Sequence, residues 1–547
     1  MKTILAAVVA LLTPVVAQTT AAPGAPPPHV VIDTVGPDGW RLRLGPTNLG
    51  SLLASEAGRR LWEPGVLPML GAWQQLVGDQ PAFAAARDRL LGYGGRVRIG
   101  LWLDDGTLFE QGIVRGALVL HGDGRTDLAA LAGDLRRLQD AVPGEWQTLD
   151  LGGSKHELRV EGDDAMTAAA VVDGRVQIVI GPRSTFADSL AAARAFAASE
   201  PAKPVPPNSP AWRQRVDVPA LVALARADAP NESELLDALG LPSLGALTLT
   251  IGTAGPHVQA ELAAPFPDGP KGLFRALCPE ATTVSDLQRL APPAGSAWKV
   301  GRFDWSALYE TVLTAVIAVG RTTRAEIEKD IRDETGIDLA ADLFAHTTDE
   351  VLFVGSPLRG LDRPKEFTWL LAVKLKDQKA FAAGLATMLG KIKPLLSREE
   401  TRKVGDAEVQ RYGNMLGYDV WFATGHGLFV MAGGRDAEDE LTALLAAAAK
   451  PVTGPAEPAP AFASVRPHLP PGNHGLARGD LDSVLGMPLE WWFSGLEDLV
   501  LFGIPAQAPS DPEEREAVRA LLQQHNLGTL LTATGHAERT WRWRLYW

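Results

Sequence analysis

Residues 171–190 read VVDGRVQIVIGPRSTFADSL, and residues 423–442 read ATGHGLFVMAGGRDAEDELT. In both stretches apolar residues alternate with polar ones on either side of a polar turn, which is typical of a β-hairpin. Each hairpin is followed by a glycine, an arginine and an amphipathic helix pattern. The positions that coincide are Gly181 with Gly433 and Arg183 with Arg435. This recurrence of a hairpin-helix unit predicts a longer internal repeat.

Four further pairs of segments recur in the same order along the chain. They are 40–55 with 298–312, 117–138 with 370–389, 212–224 with 475–487, and 244–266 with 527–547. The second of these pairs reads as a strand, a polar turn and an Ala/Leu-rich helix in both copies. We therefore predict that residues 30–290 and 291–547 are two copies of one unit.

Proline-rich stretches divide each copy into a larger and a smaller subdomain. PAKPVPPNSP and PVTGPAEPAP have the composition of linkers. At 547 residues the chain is also too long for a single core, which favours several domains. The predicted parts are a signal peptide 1–17, a Pro/Ala-rich tether 18–30, the larger subdomain of copy 1 at 31–200, a linker 201–210, the smaller subdomain 211–290, the larger subdomain of copy 2 at 291–450, a linker 451–462, and the smaller subdomain 463–547.

The pattern of short strands and amphipathic helices predicts an α+β fold. RVRIGLWL at 96–103 has strand alternation, whereas DLAALAGDLRRLQD at 127–140 and DELTALLAAA at 439–448 have apolar residues three and four apart. Because the strands are short and joined locally, we expect mainly antiparallel sheets with helices packed on one face.

Four repeated positions carry an oxygen-bearing side chain just before an apolar helix pattern. They are Asn48, Asp217, Asp304 and Asp480. Side chains of this type could act as ligands, but at a helix start their oxygen accepts a free backbone N–H of the first turn. We interpret all four as helix caps.

The chain ends in TWRWRLYW at 540–547, where large apolar residues alternate with polar ones. Outer-membrane barrels also end in such strands, but their strands follow one another with only turns between them. The helices of this chain and the match with HVQAELAAPF at 257–266 favour a strand of a repeated module. We expect Trp541, Trp543, Leu545 and Trp547 to pack on helices, and Arg542, Arg544 and Tyr546 to face water.

The N-terminus has the features of a signal peptide. Lys2 is followed by the apolar run ILAAVVALLTPVVA, and cleavage after Ala17 would leave Gln18 as the first residue. A single membrane anchor is the alternative, but the run is shorter than the roughly 20 residues that span a bilayer. We expect an exported protein, periplasmic or extracellular, with no transmembrane span after cleavage.

Composition narrows the set of partners. The net charge of −13 argues against nucleic acid and anionic membrane surfaces, because both require a basic face. Cys278 is the one cysteine and cannot form an internal disulfide. We interpret it as a small buried apolar residue.

The stretch ETGIDLAADLFAHTTDEVLFVG at 334–355 is followed by EFTWLLAVKLKDQKAFAAGLATML, by AEVQRYG, and by the hairpin FATGHGLFVMAG with its helix. This succession, over about 297–448, resembles a family of exported bacterial proteins catalogued only as a domain of unknown function. The first copy departs from it, since EPGVLPML at 63–70 stands in place of TGIDLAADL. The resemblance implies an envelope location and a non-enzymatic role, and it carries over no catalytic residue.

Motifs of catalysis and metal binding are weak or missing in the sequence. The ten histidines include no HExxH pair, and the acidic HGDGRTD at 121–127 lacks the terminal Glu of a calcium loop. His468 and His474 could meet a metal, but we interpret their Pro/Gly stretch as an exposed loop. No nucleophile elbow or phosphate loop is present. We therefore predict no catalytic residue, metal or cofactor.

Four residues stand out as binding candidates. Arg183 and Arg435 recur at a strand end and could bind an anion, or they are solvated turn arginines. Trp491 and Trp492 form an exposed aromatic candidate between PLE and FSGLED.

Three functional hypotheses remain open from the sequence. The first is a non-catalytic envelope module that binds an apolar or extended ligand, and the second is a protein-interaction scaffold using sheet edges. The third is a hydrolase whose site is dispersed over loops. A long cavity, a flat patch or a polar cleft with clustered Ser, His and Asp would distinguish them.

Overall fold

The structure is a computed structural model of the chain. It describes residues 26–55, 81–103, 115–141, 145–151, 154–161, 165–172, 175–199, 209–280, 283–292, 297–320, 322–355, 368–392, 397–415, 418–434, 436–450, 460–480, 520–521, 524–527 and 529–547. The contacts divide the chain into two compact units. Of the described residues, unit 1 holds those up to Pro230 and Gly245–Ala264, and unit 2 holds Asn231–Leu244 and the remainder. The predicted boundaries of the subdomains and linkers stay a prediction.

Unit 1 contains an antiparallel sheet and six helices among its described residues. The strands are β1 Val30–Val35, β2 Arg96–Trp102, β3 Arg115–His121, β4 Glu145–Leu151, β5 Ser154–Glu161, β6 Ala165–Val172, β7 Arg175–Pro182, β8 Trp212–Val216, β9 Leu247–Ala254 and β10 His257–Pro265. The helices are α1 Pro37–Leu44, α2 Asn48–Ala54, α3 Pro81–Leu91, α4 Leu128–Ala141, α5 Phe186–Ala198 and α6 Val218–Asp228. Neighbouring strands follow the order β4-β5-β6-β7-β3-β2-β1-β8-β9-β10, and every pairing is antiparallel.

Unit 2 also contains an antiparallel sheet with helices. Its helices are α7 Ser233–Leu239, α8 Leu273–Leu277, α9 Trp305–Gly320, α10 Arg324–Thr335, α11 Leu339–Asp342, α12 Gln378–Ile392 and α13 Ala437–Ala448. Its strands are β11 Ala297–Arg302, β12 Thr347–Gly355, β13 Trp369–Leu375, β14 Ser397–Val404, β15 Ala407–Met415, β16 Tyr418–Gly425, β17 Leu428–Gly433, β18 Asn473–Asp480, β19 Thr529–Ala537 and β20 Thr540–Tyr546. The order is β14-β15-β16-β17-β13-β12-β11-β18-β19-β20.

The two strand orders are the same when β1 is matched with β11, β2 with β12, and so on to β10 with β20. Antiparallel sheets with helices confirm the α+β class. The strand predicted at 96–103 is β2, and the helices predicted at 127–140 and 439–448 are α4 and α13.

Helices cover both faces of the unit 1 sheet. One apolar cluster joins Ala117 and Val119 of β3 to α5, whereas another joins Leu120 of β3 to α4. Successive side chains of a strand point to opposite faces, so the two helices lie on opposite sides. The prediction of helices on one face is therefore wrong for unit 1. The physical reason is visible in ALVL at 117–120, because a strand that is apolar at every position must be covered on both faces.

The unit 2 core is built from the corresponding elements. Phe381 and Leu385 of α12 cluster with Leu375 of β13 and with Phe422 of β16. Helix α13 contacts β13, β16 and β17 and buries its leucines, which include Leu441. The recurrence of glycine at 181 and 433 has a packing reason. A Cβ atom would lie 2.3 Å from Ser189 Oγ at Gly181 and 2.8 Å from the Trp369 indole at Gly433.

The segment 40–44, which belongs to the stretch that matches 298–312, is the second half of α1, whereas 298–302 lies in β11. Pro37 at the start of α1 has a fixed φ and no N–H, both of which suit the first turn of a helix. Strand β1 takes the place in unit 1 that β11 takes in unit 2. Trp40 therefore lies on a helix, whereas Trp212 and Trp298 lie on β8 and β11.

Two of the four predicted caps are confirmed. Asp217 accepts the Ala220 amide, and Asp304 accepts the Ala307 amide at 2.9 Å. At the second helix the cap is Thr47, which precedes Asn48 and accepts the Gly50 amide. The helix predicted after Asp480 lies outside the described residues.

TWRWRLYW forms β20, the second strand of a hairpin with β19, as predicted. The prediction of its faces is wrong, because Tyr546 is fully buried. Its register explains this, since Tyr546 lies opposite the buried Leu531 and Arg544 lies opposite the buried Ala533. The Tyr546 hydroxyl and the Arg544 guanidinium both donate to the carbonyl of His468.

Candidate functional site

Unit 2 contains a cavity of about 760 Å³. It lies where α8, the β11–α9 junction, the start of β12 and the end of β13 come together, beside β19. The residues that line it are Pro270, Arg275, Cys278, Pro279, Glu280, Phe303, Asp304, Trp305, Ser306, Phe344, Thr347, Thr348, Asp349, Lys376 and His536.

Backbone hydrogen bonds fix the junction between β11 and α9. The Phe303 amide donates to the Asp349 carbonyl at 2.6 Å, and the Asp304 amide donates to the Ala276 carbonyl at 3.0 Å. Asp304 also caps α9 through the Ala307 amide. The Asp304 carboxylate is thus hydrogen-bonded to α9. The three hydrogen bonds together fix this wall of the cavity to β12, α8 and α9.

Aromatic rings form much of the apolar lining. The rings of Phe303 and Trp305 meet edge to face with centroids 5.0 Å apart. Phe344 lies 5.6 Å from the ring of Tyr309 on α9. Such pairs pack tightly and present large apolar surfaces, which suit the binding of an apolar molecule.

One acid of the cavity lining, Asp349, forms an ion pair with Arg302. Arg302 donates to Asp349 at 2.8 Å and also to the Thr283 carbonyl at 2.8 Å. Asp349 and Asp304 therefore both have committed partners. Glu280 is the remaining acid of the lining, and its side chain is exposed.

Two exposed cations, Arg275 and Lys376, stand at the cavity. Neither forms an ion pair with any residue that the structure describes. Asp349 is paired with Arg302, whereas Asp304 keeps its negative charge when it caps α9, so the unpaired charges of the lining are Arg275 and Lys376 against Asp304 and Glu280. The two cations are the groups of the lining that can pair with a negatively charged part of a ligand.

Two histidines lie at or next to the cavity. His536 lines it, and burial lowers the pKa of its imidazole. His474 is buried, with Nδ1 3.2 Å from the Gly472 carbonyl oxygen, and burial lowers its pKa to about 4. The interpretation of His474 as a residue of an exposed loop is therefore wrong, because it lies on β18 with 2 % of its surface exposed. Both rings are neutral at neutral pH.

Cys278 is a buried thiol, as predicted from its type. Burial raises its pKa to about 12, so the thiolate that would act as a nucleophile is scarce at neutral pH. Within the described ranges no hydrogen bond joins Ser306 to His536, and His536 Nε2 is buried without a partner. The same part of the chain contains no group of three or more His, Cys, Asp or Glu residues placed to hold a metal ion.

The sequence candidates lie elsewhere. Arg183 begins a 3₁₀ turn, Arg183–Thr185, between β7 and α5 in unit 1. Arg435, Trp491, Trp492, Ala17 and Gln18 lie outside the described residues. His468 ends the 3₁₀ turn Arg466–His468 and serves through its backbone carbonyl. The cavity residues come from five separated stretches without a shared motif, so only the fold brings them together.

Comparisons with known proteins give little. No family model matches the chain, and no curated protein matches it. Among solved structures, the chain is weakly similar to one described as "Structure of crystal form III of TP0453". The identity is 9 % and the TM-score is 0.24, over 48 % of this chain and 85 % of that one. In the described residues, no helix is both long enough and apolar enough to cross a membrane.

Proposed function

We propose that this protein is a non-catalytic binding module and that the cavity of unit 2 holds a small, mainly apolar molecule. The observation that carries the proposal is a cavity of about 760 Å³ lined by Phe303, Trp305 and Phe344. Ligand cavities in proteins are typically 300–1,000 Å³ and combine apolar surface with polar groups that set orientation. Here the aromatic rings supply the apolar surface, and nine of the fifteen lining residues are polar or charged.

The protonation and hydrogen bonding of the side chains in this cavity disfavour catalysis. The Cys278 thiol has a raised pKa, Asp304 and Asp349 are committed to other partners, and His536 makes no hydrogen bond to Ser306 in the described structure. A nucleophile needs a base within hydrogen-bond reach. A hydrolase with a dispersed site is therefore the weaker candidate.

We further propose that the chain is exported to the periplasm or the cell exterior after cleavage between Ala17 and Gln18. The support is the short apolar run at 4–17, which ends in small residues. An envelope location agrees with the resemblance over 297–448 to exported proteins. Arg435, Trp491 and Trp492 stay binding candidates of the sequence.

We also propose that the chain arose by duplication of one unit. The support is the order of the recurring sequence segments, together with the same strand order in both sheets. Ten strands can be arranged in an antiparallel sheet in many different orders. A common origin is therefore a simple explanation for finding the same order in both units.

The experiment that tests the binding proposal is native mass spectrometry of the mature protein purified without detergent. We expect extra mass that solvent extraction removes. Ser306→Trp should abolish it, because Ser306 is exposed at the cavity and an indole there would fill the space. Ser51→Trp, at an exposed helix position of unit 1, is the matched control.

Three other outcomes would redirect the proposal. A bare mass in wild type and both variants would oppose a tightly held ligand, and a stoichiometric second protein would favour the scaffold. Ester hydrolysis that is lost in Ser306→Ala would favour the hydrolase.

A further inference from the structure

We propose that the ligand is a long-chain carboxylate, with its head between Arg275 and Lys376 and its chain along one face of α9. This inference rests on the proposed binding function and names the class of ligand. It comes from an exposed apolar stripe on α9 that begins at the cavity.

The α9 stripe consists of Trp305, Tyr309, Val312, Val316 and Val319, spaced alternately by four and three residues. Residues at this spacing lie on one side of a helix. The three valines are 52 %, 45 % and 65 % exposed. Large apolar side chains in such a row on the surface mark a binding face.

The other sides of α9 are already covered. Helices α7 and α8 pack against it, and its buried residues are Ala307, Thr311 and Leu313. Helix α10 follows and is joined to α9 by the ion pair of Arg324 with Glu310. The stripe is therefore the face of α9 that these neighbours leave exposed.

The stripe is continuous with the cavity through Trp305. That side chain lines the cavity and is the first member of the stripe, and the ring of Tyr309 contacts Phe344 of the lining. From Trp305 to Val319 the helix rises about 21 Å at about 1.5 Å per residue. This exceeds the roughly 15 Å that one leaflet gives to a lipid chain, which is half of the 30 Å hydrocarbon core.

The charges at the cavity select the head group. Arg275 and Lys376 carry two positive charges without an ion pair among the described residues; of the three acids in the lining, Asp349 is paired with Arg302, and Asp304 and Glu280 remain. Arginine donates to both oxygens of a carboxylate, and lysine adds a point charge. A neutral or cationic head group would leave both cations unpartnered.

Two other occupants of the stripe fit less well. A net charge of −13 opposes adsorption to an anionic membrane. A stable protein interface buries about 800 Å² on each partner, far more than three valine side chains present. Both remain as outcomes of the test.

The test measures binding of saturated fatty acids of increasing length to the full mature chain by calorimetry, below their micellar concentrations. In wild type we expect the affinity to rise about twofold for each added methylene beyond the length that the cavity holds, because one side of a chain on an open helix face stays in water. The triple variant Val312→Thr, Val316→Thr, Val319→Thr keeps the shape of each side chain and adds a hydroxyl. It should bind short acids normally and palmitate about tenfold more weakly. Val171→Thr, at an exposed strand position of unit 1, is the control.

The head-group arm compares palmitate with hexadecanol. Arg275→Gln with Lys376→Gln should weaken palmitate binding about tenfold and leave the alcohol unchanged. Lys271→Gln, an exposed lysine outside the lining, is the control. Equal binding of alcohol and acid to wild type would overturn the head-group assignment.

The remaining outcomes separate this inference from the proposed function. If short and long acids bind equally in wild type and in the triple variant, the chain placement fails and the binding function stands. If no apolar probe binds at all, the binding function fails. If wild type binds phosphatidylglycerol vesicles and the triple variant does not, the stripe is a membrane-binding surface. If wild type forms a dimer and the triple variant does not, the stripe is an interface with a second copy.

Discussion

At the scale of single residues, Glu350 shows how unit 2 handles a buried charge. Its carboxylate accepts from Lys374 Nζ at 2.6 Å, from the Ser285 hydroxyl at 2.7 Å and from the Asp286 amide at 3.0 Å. Burial alone would raise the pKa of this carboxyl. The hydrogen bonds from Lys374 and Ser285 outweigh burial and lower the pKa below its ordinary value.

Glu350→Gln should destabilise unit 2 by about 1–3 kcal/mol at neutral pH, because it removes charge-assisted hydrogen bonds from a buried group. The folded-state pKa is the lower one, so this stabilisation is complete above the unfolded pKa and is lost as the pH falls through the folded pKa. Urea unfolding at neutral pH and in the acid range measures both effects. Glu310→Gln, in an exposed ion pair, should cost only a few tenths of a kcal/mol. Equal costs for the two variants would refute the role given to Glu350.

His474 predicts a second pH dependence with the same sign. Burial lowers its pKa to about 4 from an ordinary value of 6.5, and the facing groups are His536, Arg302 and Asp349. Between these two values the unfolded chain binds the proton more readily. The free energy of unfolding should therefore fall by up to about 3 kcal/mol as the pH drops from 6.5 to 4.

His474→Asn retains an amide that can donate to the Gly472 carbonyl, and it removes the titration. Its unfolding free energy should depend less on pH in this range than that of wild type. His426→Asn is the control, because His426 has φ 53° and asparagine tolerates this conformation well. An unchanged slope in His474→Asn would show that another group causes the acid sensitivity.

At the scale of elements, the sequence predicted the type of many helices and strands but not the sides on which they pack. Strand β20 was expected and found, yet its buried face is the one that carries Tyr546 and Arg544. Alternation of Trp with Arg indicated the opposite face. The pairing with β19 determines which face of β20 is buried, and the alternation within 540–547 contains no information about β19.

The cavity could not have been predicted either. Arg275, Trp305, Lys376 and His536 are ordinary residues of four separate stretches, and none carries a local motif. By contrast, Asp217 and Asp304 were predictable caps, because capping depends on residues within one turn. Local chemistry was thus readable from the sequence, and long-range assembly was not.

Helix α10 offers a test of local stability at this scale. Thr323 and Glu326 form a capping box, in which the Glu326 carboxylate accepts the Thr323 amide at 2.8 Å. None of the residues of α10 is fully buried, so its stability depends strongly on its ends. Thr323→Ala should destabilise the helix by about 1 kcal/mol.

This loss should appear as amide hydrogen exchange about fivefold faster within α10, with little change in the rest of unit 2. Thr185→Ala, at the start of α5 in unit 1, removes a threonine whose side chain makes no capping hydrogen bond and should leave exchange in α10 unchanged. Uniform acceleration throughout unit 2 in Thr323→Ala would show that α10 does not open independently.

At the scale of the whole molecule, the sequence predicted the order of the repeated elements well, but it aligned one pair of segments with elements that are not equivalent. Four of its five segment matches fall on elements with equivalent places in the two strand orders. The match of 40–55 with 298–312 is displaced, because the Trp-Arg/Lys pattern occurs in α1 in one case and in β11 in the other. Weak repeats preserve the succession of elements better than they preserve the residues within them.

Export is the last property that belongs to the whole chain. The signal peptidase requires small residues before the bond that it cuts, and Ala17 is the last residue before the expected bond. The intact mass of protein from the envelope or the medium should therefore correspond to a chain that starts at Gln18. Ala17→Phe should block this cleavage and leave residues 1–17 attached, whereas Ala7→Leu, within the apolar run, should be processed normally. Equal processing of both variants would place the cleavage elsewhere. A full-length wild-type chain in the membrane fraction would instead support the uncleaved anchor, and the ligand would then be sought at the membrane surface.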